Sequence, residues 1–147
     1  MNRTHTPQTT HVAYFSMEVG ISHNIPTYSG GLGILAGDTL KSFADTGSSV
    51  VGVTMLNEKG YFYQKIDAEG NQIEEDVQWD PHERLTLLPN IVTIHIQGRP
   101  VQIRVWKHLL HGHKGHVVPV YFLDTNIEGN TEEDRRLTAH LYGGDRA

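Results

Sequence analysis

Between residues 11 and 56 the hydrophobic pattern changes twice, and that change leaves few folds open. His11 to Met17 (HVAYFSM) is rich in aromatic and β-favouring residues and reads as a short, largely buried strand. Gly20 to Gly33 is punctuated by Gly20, Pro26, Gly30, Gly31 and Gly33, which makes it a loop. From Leu32 the spacing turns helical. Leu32, Leu35, Leu40 and Phe43, with Ile34 and Ala36 alongside, form an apolar stripe that Gly47 ends. Ser49 to Leu56 (SVVGVTML) is a second apolar strand. Strand, glycine loop, helix and strand make a βαβ unit, with a right-handed crossover expected.

Beyond this unit the pattern alternates with period two. Tyr61 to Asp67 runs into the turn Ala68-Glu69-Gly70-Asn71, a hairpin signal. Ile91 to Ile96 and Val101 to Trp106 flank Gln97-Gly98-Arg99-Pro100 and predict a second hairpin. Val117 to Leu123 is another apolar strand, in which Pro119 argues for an edge position or a bulge. Thr131-Glu132-Glu133-Asp134 is a capping pattern that opens a last helix. Residues 1–10 are polar and read as a flexible N-terminal arm, and 11–147 as one mixed α/β domain with a β-hairpin extension.

The composition excludes several functions. The 147 residues carry a net charge of −5, so no basic surface offers itself to a nucleic acid. There is no cysteine, hence no disulfide, thiolate zinc site or cysteine nucleophile. The start of the chain has no signal-like apolar core, and no apolar run is long enough to cross a bilayer. A soluble cytoplasmic protein without membrane partners is the expectation.

The sharpest local feature is Tyr28-Ser29-Gly30-Gly31-Leu32-Gly33. It lies where a strand hands over to a helix, so unpaired backbone N–H groups and the positive end of the helix dipole converge there. Without side chains at Gly30, Gly31 and Gly33, a phosphate or sugar can approach the main chain closely. The same glycines also suit a plain strand-to-helix turn, and the motif alone leaves both readings open. No Gly-Lys-Ser/Thr follows, and the spacing is not G-x-G-x-x-G, so neither a Walker loop nor a dinucleotide fingerprint is present.

The context of the loop is more specific. Ala13-Tyr14-Phe15-Ser16-Met17-Glu18 and the run from Ile25 to Asp38 (IPTYSGGLGILAGD) resemble the signature of the α-glucan phosphorylases. Leu40-Lys41-Ser42, Asp45 with Gly47, Val51-Gly52-Val53, Gly60-Tyr61-Phe62 with Gln64, Val118 to Asp124 and Leu141 to Asp145 continue the likeness in order.

The resemblance implies a partial N-terminal Rossmann-like domain of a two-domain GT-B glycosyltransferase, with the C-terminal domain absent. It implies phosphorolysis of terminal α-1,4-glucosidic bonds to glucose 1-phosphate, with α-1,4-glucan and inorganic phosphate as partners. It further implies pyridoxal 5′-phosphate, held in the family by a lysine that this chain lacks, so no bound cofactor is expected here and the chain alone is expected to be inactive. Carried over, substrate and phosphate binding falls to Gly30, Gly31, Leu32 and Gly33, and Glu18 supports the loop. No catalytic residue is expected in this segment. One departure is Asn57-Glu58-Lys59, where relatives usually carry an aromatic-Arg pair; it exchanges a positive for a negative charge near the expected phosphate. Two other classes stand beside this reading. One is a glycogen or starch synthase-like fragment, which usually carries a lysine where Tyr28 stands. The other is a non-catalytic glucan- or phosphate-binding module.

Ten histidines invite a metal reading, and His108, His111, His113 and His116 crowd into one segment. That segment holds two glycines and a lysine and connects two strands, which favours a flexible solvated loop over a defined metal site.

Overall fold

The computed structural model describes residues 11–142; the expected arm at 1–10 lies outside them, as do the last five residues. In chain order the elements are β1 (Val12–Phe15), α1 (Gly31–Thr46), β2 (Val50–Met55), β3 (Tyr63–Ile66), β4 (Gln72–Glu75), β5 (Thr86–Ile96), β6 (Arg99–His111), β7 (Val117–Asp124) and the one-turn α2 (Glu132–Arg135). Five strands form one mixed sheet in the order β1-β2-β7-β6-β5, and β3 pairs only with β4 in a separate ribbon. The β1, β2 and β7 ladders are parallel, whereas β6 and β5 join antiparallel.

The helix lies over β2, β7 and β6. Leu40, wholly buried, reaches down to Gly52, where an added Cβ would sit 2.9 Å from Leu40 Cδ1. Phe122, Val120 and Trp106 complete this core. Removal of these side chains from water is the main favourable contribution to the fold.

The helical stripe differs from the expectation. The buried residues of α1 are Gly33, Ala36, Gly37, Leu40 and Ala44, whereas Leu32, Ile34 and Leu35 are exposed. The reason is distance: a Cβ on Gly37 would lie 2.0 Å from the Gly20 carbonyl oxygen. The helix packs so tightly on the loop after β1 that its inner face takes only small residues until Leu40. Gly47 ends the helix at φ 72°, a left-handed conformation suited to glycine.

Two strands depart from their expected settings. β1 is an edge strand and is not largely buried, with Phe15 74% exposed. β7 is central rather than at an edge. Its pairing with β2 begins at Val120, so the missing N–H of Pro119 falls just before that ladder starts. The second hairpin is longer than its sequence signal. Gln97 and Gly98 make the turn with φ of 50° and 81°, a two-residue connection of the primed kind. A register shift between Leu87 and Ile91 absorbs Pro89. The last helix begins as expected: Asp134 N–H donates to Thr131 Oγ1 at 3.2 Å.

Candidate functional site

The C-terminal end of β1 leads through Glu18 and Pro26 into the glycine loop, and the loop becomes the first turn of α1. Gly30 is the N-cap residue, extended at φ −153° and ψ −156°, with no side chain to cap the helix. The first intrahelical bond runs from Ile34 N–H to the Gly30 carbonyl at 3.2 Å. The amides of Gly31, Leu32 and Gly33 therefore precede the helical ladder. No acidic residue stands in that first turn; the carboxylate nearest this helix start is that of Glu18, behind the loop. Asp38 lies well into the helix, 3.9 Å from Lys41, too far along to act on this terminus.

The glycines differ in what surrounds them. At Gly30 and Gly31 an added Cβ would meet no atom within 4 Å, and Gly30, Gly31 and Leu32 are exposed. Gly33 is buried, and a Cβ there would lie 2.4 Å from Tyr28 Cβ and 3.2 Å from Glu18 Oε2. Two glycines thus keep the front of the loop open, and the third lets the loop close onto the carboxylate behind it.

That carboxylate is almost fully buried. Glu18 Oε2 accepts the Ser29 N–H at 2.6 Å, one residue before the N-cap, and Oε1 accepts the Tyr142 hydroxyl at 3.2 Å. Desolvation raises the Tyr142 phenol above its ordinary pKa, and the charge of Glu18 and the bond to it act the same way. Tyr142 was not singled out as a site residue from sequence, although it lies in the Leu141-Tyr142-Gly143-Gly144-Asp145 block; the rest of that block is outside the described residues. A short Ser16 hydroxyl bond to the Glu18 carbonyl and the pairing of Gly20 N–H with the Gly33 carbonyl at 2.7 Å fix the remaining loop ends. Tyr142 also lines a depression of about 730 Å³, with Glu58, Lys59, Arg136 and His140 on its walls.

The Asn57-Glu58-Lys59 segment follows β2. Glu58 accepts from the Asn126 amide, which follows β7, and it lines the same depression as Tyr142 and Lys59. Lys59 is exposed, and Asn57 is wholly buried with neither amide atom paired.

Half of the histidine segment is strand rather than loop, and the part beyond it is an exposed turn. β6 runs through His108 to His111, and the turn beyond it rests on the end of α1. His113 N–H donates to Asp45 Oδ1 at 2.8 Å, and a Cβ at Gly112 would meet the Ala44 carbonyl at 2.2 Å. Among the described residues, no three His, Asp or Glu side chains converge as a metal site. No helix among them is long and apolar enough to cross a membrane.

The chain matches no family model. Among curated proteins it is 37% identical over 141 residues to the maltodextrin phosphorylase of Thermococcus litoralis, which takes in 91% of this chain. It is 38% identical over 149 residues to the glycogen phosphorylase of Mycobacterium tuberculosis and 31% over 144 residues to that of Aquifex aeolicus. The chain is homologous to the α-glucan phosphorylases. It spans 16% of the length of the first two relatives and 20% of the third. The phosphorylase likeness extends over nine-tenths of the chain and therefore includes the β1-loop-α1 unit, both hairpins and β7.

Proposed function

We propose that this chain contributes the glycine-loop half of a phosphorylase cleft, in a Rossmann-like domain of GT-B architecture. In that reading the amides at Gly30, Gly31, Leu32 and Gly33 receive the phosphate and glucosyl group of glucose 1-phosphate, or the same groups during phosphorolysis of an α-1,4-glucan. Glu18 is the supporting residue: it holds the Ser29 amide and so sets the orientation of the amides that follow, which is preorganisation rather than proton transfer. The observation that carries the reading is this pairing of a buried carboxylate behind the loop with two open glycines in front.

The exposed apolar residues in the flanking segments, Phe15, Met17, Leu32 and Leu35, suit a half-site that another domain faces. Pyridoxal phosphate finds no seat among the described residues. Its lysine needs a closed, desolvated pocket, and none of the five lysines here is buried. No step is routed through it, and the proposal for this segment is binding and orientation, with turnover left to the complete phosphorylase.

Backbone amide shifts during titration with glucose 1-phosphate test the reading. Saturable shifts centred on Gly30 to Gly33 at millimolar ligand are expected. Shifts scattered over the surface, or none, would remove it.

A further inference from the structure

Glu18 has a backbone and a carboxylate to hold still, and different groups hold them. The backbone is fixed locally. The Ser16 hydroxyl donates to the Glu18 carbonyl at 2.8 Å, the Val19 N–H donates to the Thr27 carbonyl at 3.2 Å, and Thr27 Oγ1 donates back to the Val19 carbonyl at 3.2 Å. None of these bonds reaches the carboxylate. The last torsion of a glutamate is broad and roughly two-fold, so one hydrogen bond on one oxygen leaves the plane of the group free to turn. The Ser29 N–H holds Oε2 at 2.6 Å. The second hold, on Oε1, is the Tyr142 hydroxyl at 3.2 Å. Among the described residues these are the carboxylate's two hydrogen bonds.

The segment that delivers the hydroxyl is anchored without it. Glu58 N–H donates to the Thr138 carbonyl at 3.2 Å and Lys59 N–H to the Ala139 carbonyl at 3.0 Å, and Lys59 and His140 form a parallel bridge beside them. Thr138 Oγ1 accepts the Thr125 N–H at 3.1 Å, and the side chain of Leu141 is buried. Residues 138–141 are thus laid along the chain that follows β2 by contacts in which the Tyr142 ring has no part. The phenol is raised above its ordinary pKa, first by desolvation and then by the charge of Glu18, so the hydroxyl keeps its proton and stays a donor across the neutral range. Its hydrogen bond among the described residues is spent on Glu18.

We propose that Tyr142 is a positioning residue for the glycine loop: by holding Oε1 it fixes the plane of the Glu18 carboxylate, and through it the Ser29 N–H that precedes the helix start. The inference rests on the loop reading above and adds a control on that site from the segment after β7. A displacement of residues 138–142 is then felt at the loop without any contact to the ligand.

Tyr142→Phe, which removes the hydroxyl and keeps the ring, tests this in two ways. In the ligand-free chain the Ser29 amide proton reports its short bond to a carboxylate, which places the resonance downfield. Release of the carboxylate should move that resonance upfield and speed its exchange with solvent. In a glucose 1-phosphate titration the variant should bind about fivefold more weakly than the parent. In a Glu18→Gln background the same substitution should cost nothing further, because its effect passes through the carboxylate. An unmoved Ser29 resonance, full affinity in Tyr142→Phe, or losses that add in the double variant would each overturn the inference, and Tyr142 would then only fasten its own segment. A parent that ignores glucose 1-phosphate removes the loop reading, and the ligand-free Ser29 resonance still decides whether Tyr142 sets the carboxylate.

Discussion

Replacing Gly33 and Gly31 separately by alanine should move stability in opposite directions. At Gly33 the new Cβ would stand 2.4 Å from Tyr28 Cβ, over 1 Å inside ordinary contact of about 3.5–4.0 Å. Tyr28 Cβ is fixed to the backbone and cannot rotate away, and Glu18 Oε2 at 3.2 Å closes the other side. Overpacking of this kind costs about 1–3 kcal/mol, and the better helix propensity of alanine returns about 1 kcal/mol. Taking the upper end for a backbone-anchored clash leaves a net loss of about 2 kcal/mol, or roughly 4–8 °C in Tm for a domain of this size. Gly31 has open space and a helical backbone, so alanine there should be neutral or stabilise by about 0.5 kcal/mol. Its methyl group would nevertheless take up open space at the front of the loop, so glucose 1-phosphate should bind more weakly. Thermal unfolding followed by circular dichroism, with ligand titration of each folded variant, checks both halves. A Gly33→Ala protein as stable as the parent, or a Gly31→Ala protein that loses stability, would refute the packing argument.

Other outcomes follow from the same contacts. Leu40→Ala empties the space above Gly52 and should cost about 2–5 kcal/mol in chemical denaturation. Thr131→Ala removes the cap on Asp134 N–H and should cost about 1 kcal/mol by the same assay. Asp134 is held below the ordinary carboxylate pKa, first by hydrogen bonds from Arg99 and then from Thr131. A depressed folded pKa contributes stability above the unfolded value of 3.8 and loses it as pH falls through the folded value. The Tm should therefore fall as pH drops below about 4, and Asp134→Asn should flatten that part of the profile.

The βαβ unit was legible because strand and helix differ in period, and because glycines mark both ends of α1. Both hairpins were legible from their turns. The setting of each element in the sheet was less so. β1 has the aromatic, β-branched composition of a buried strand, but its neighbours leave Phe15 at an open edge. Leu32 and Leu35 read as core because large apolar side chains usually face inward, whereas contact at Gly20 and Gly37 reserves the inner face for small residues. Pro119 argued for an edge, yet one missing N–H is tolerated in a central strand where the neighbouring ladder has not begun. Glu18 and the glycines were found through motif likeness. Tyr142 comes from 124 residues farther along, a pairing that local pattern does not encode.

The most direct test of the loop account compares the parent protein with Glu18→Gln in one glucose 1-phosphate titration, read at the amides of Gly30 to Gly33. The substitution keeps the shape behind the loop and removes the charge that holds Ser29 N–H. The parent should show saturable shifts, and the variant should remain folded but bind about tenfold more weakly, as expected when a charge-assisted hydrogen bond becomes a neutral one. Equal affinity in the two proteins would contradict the idea that a buried carboxylate orients the amides for an anionic sugar.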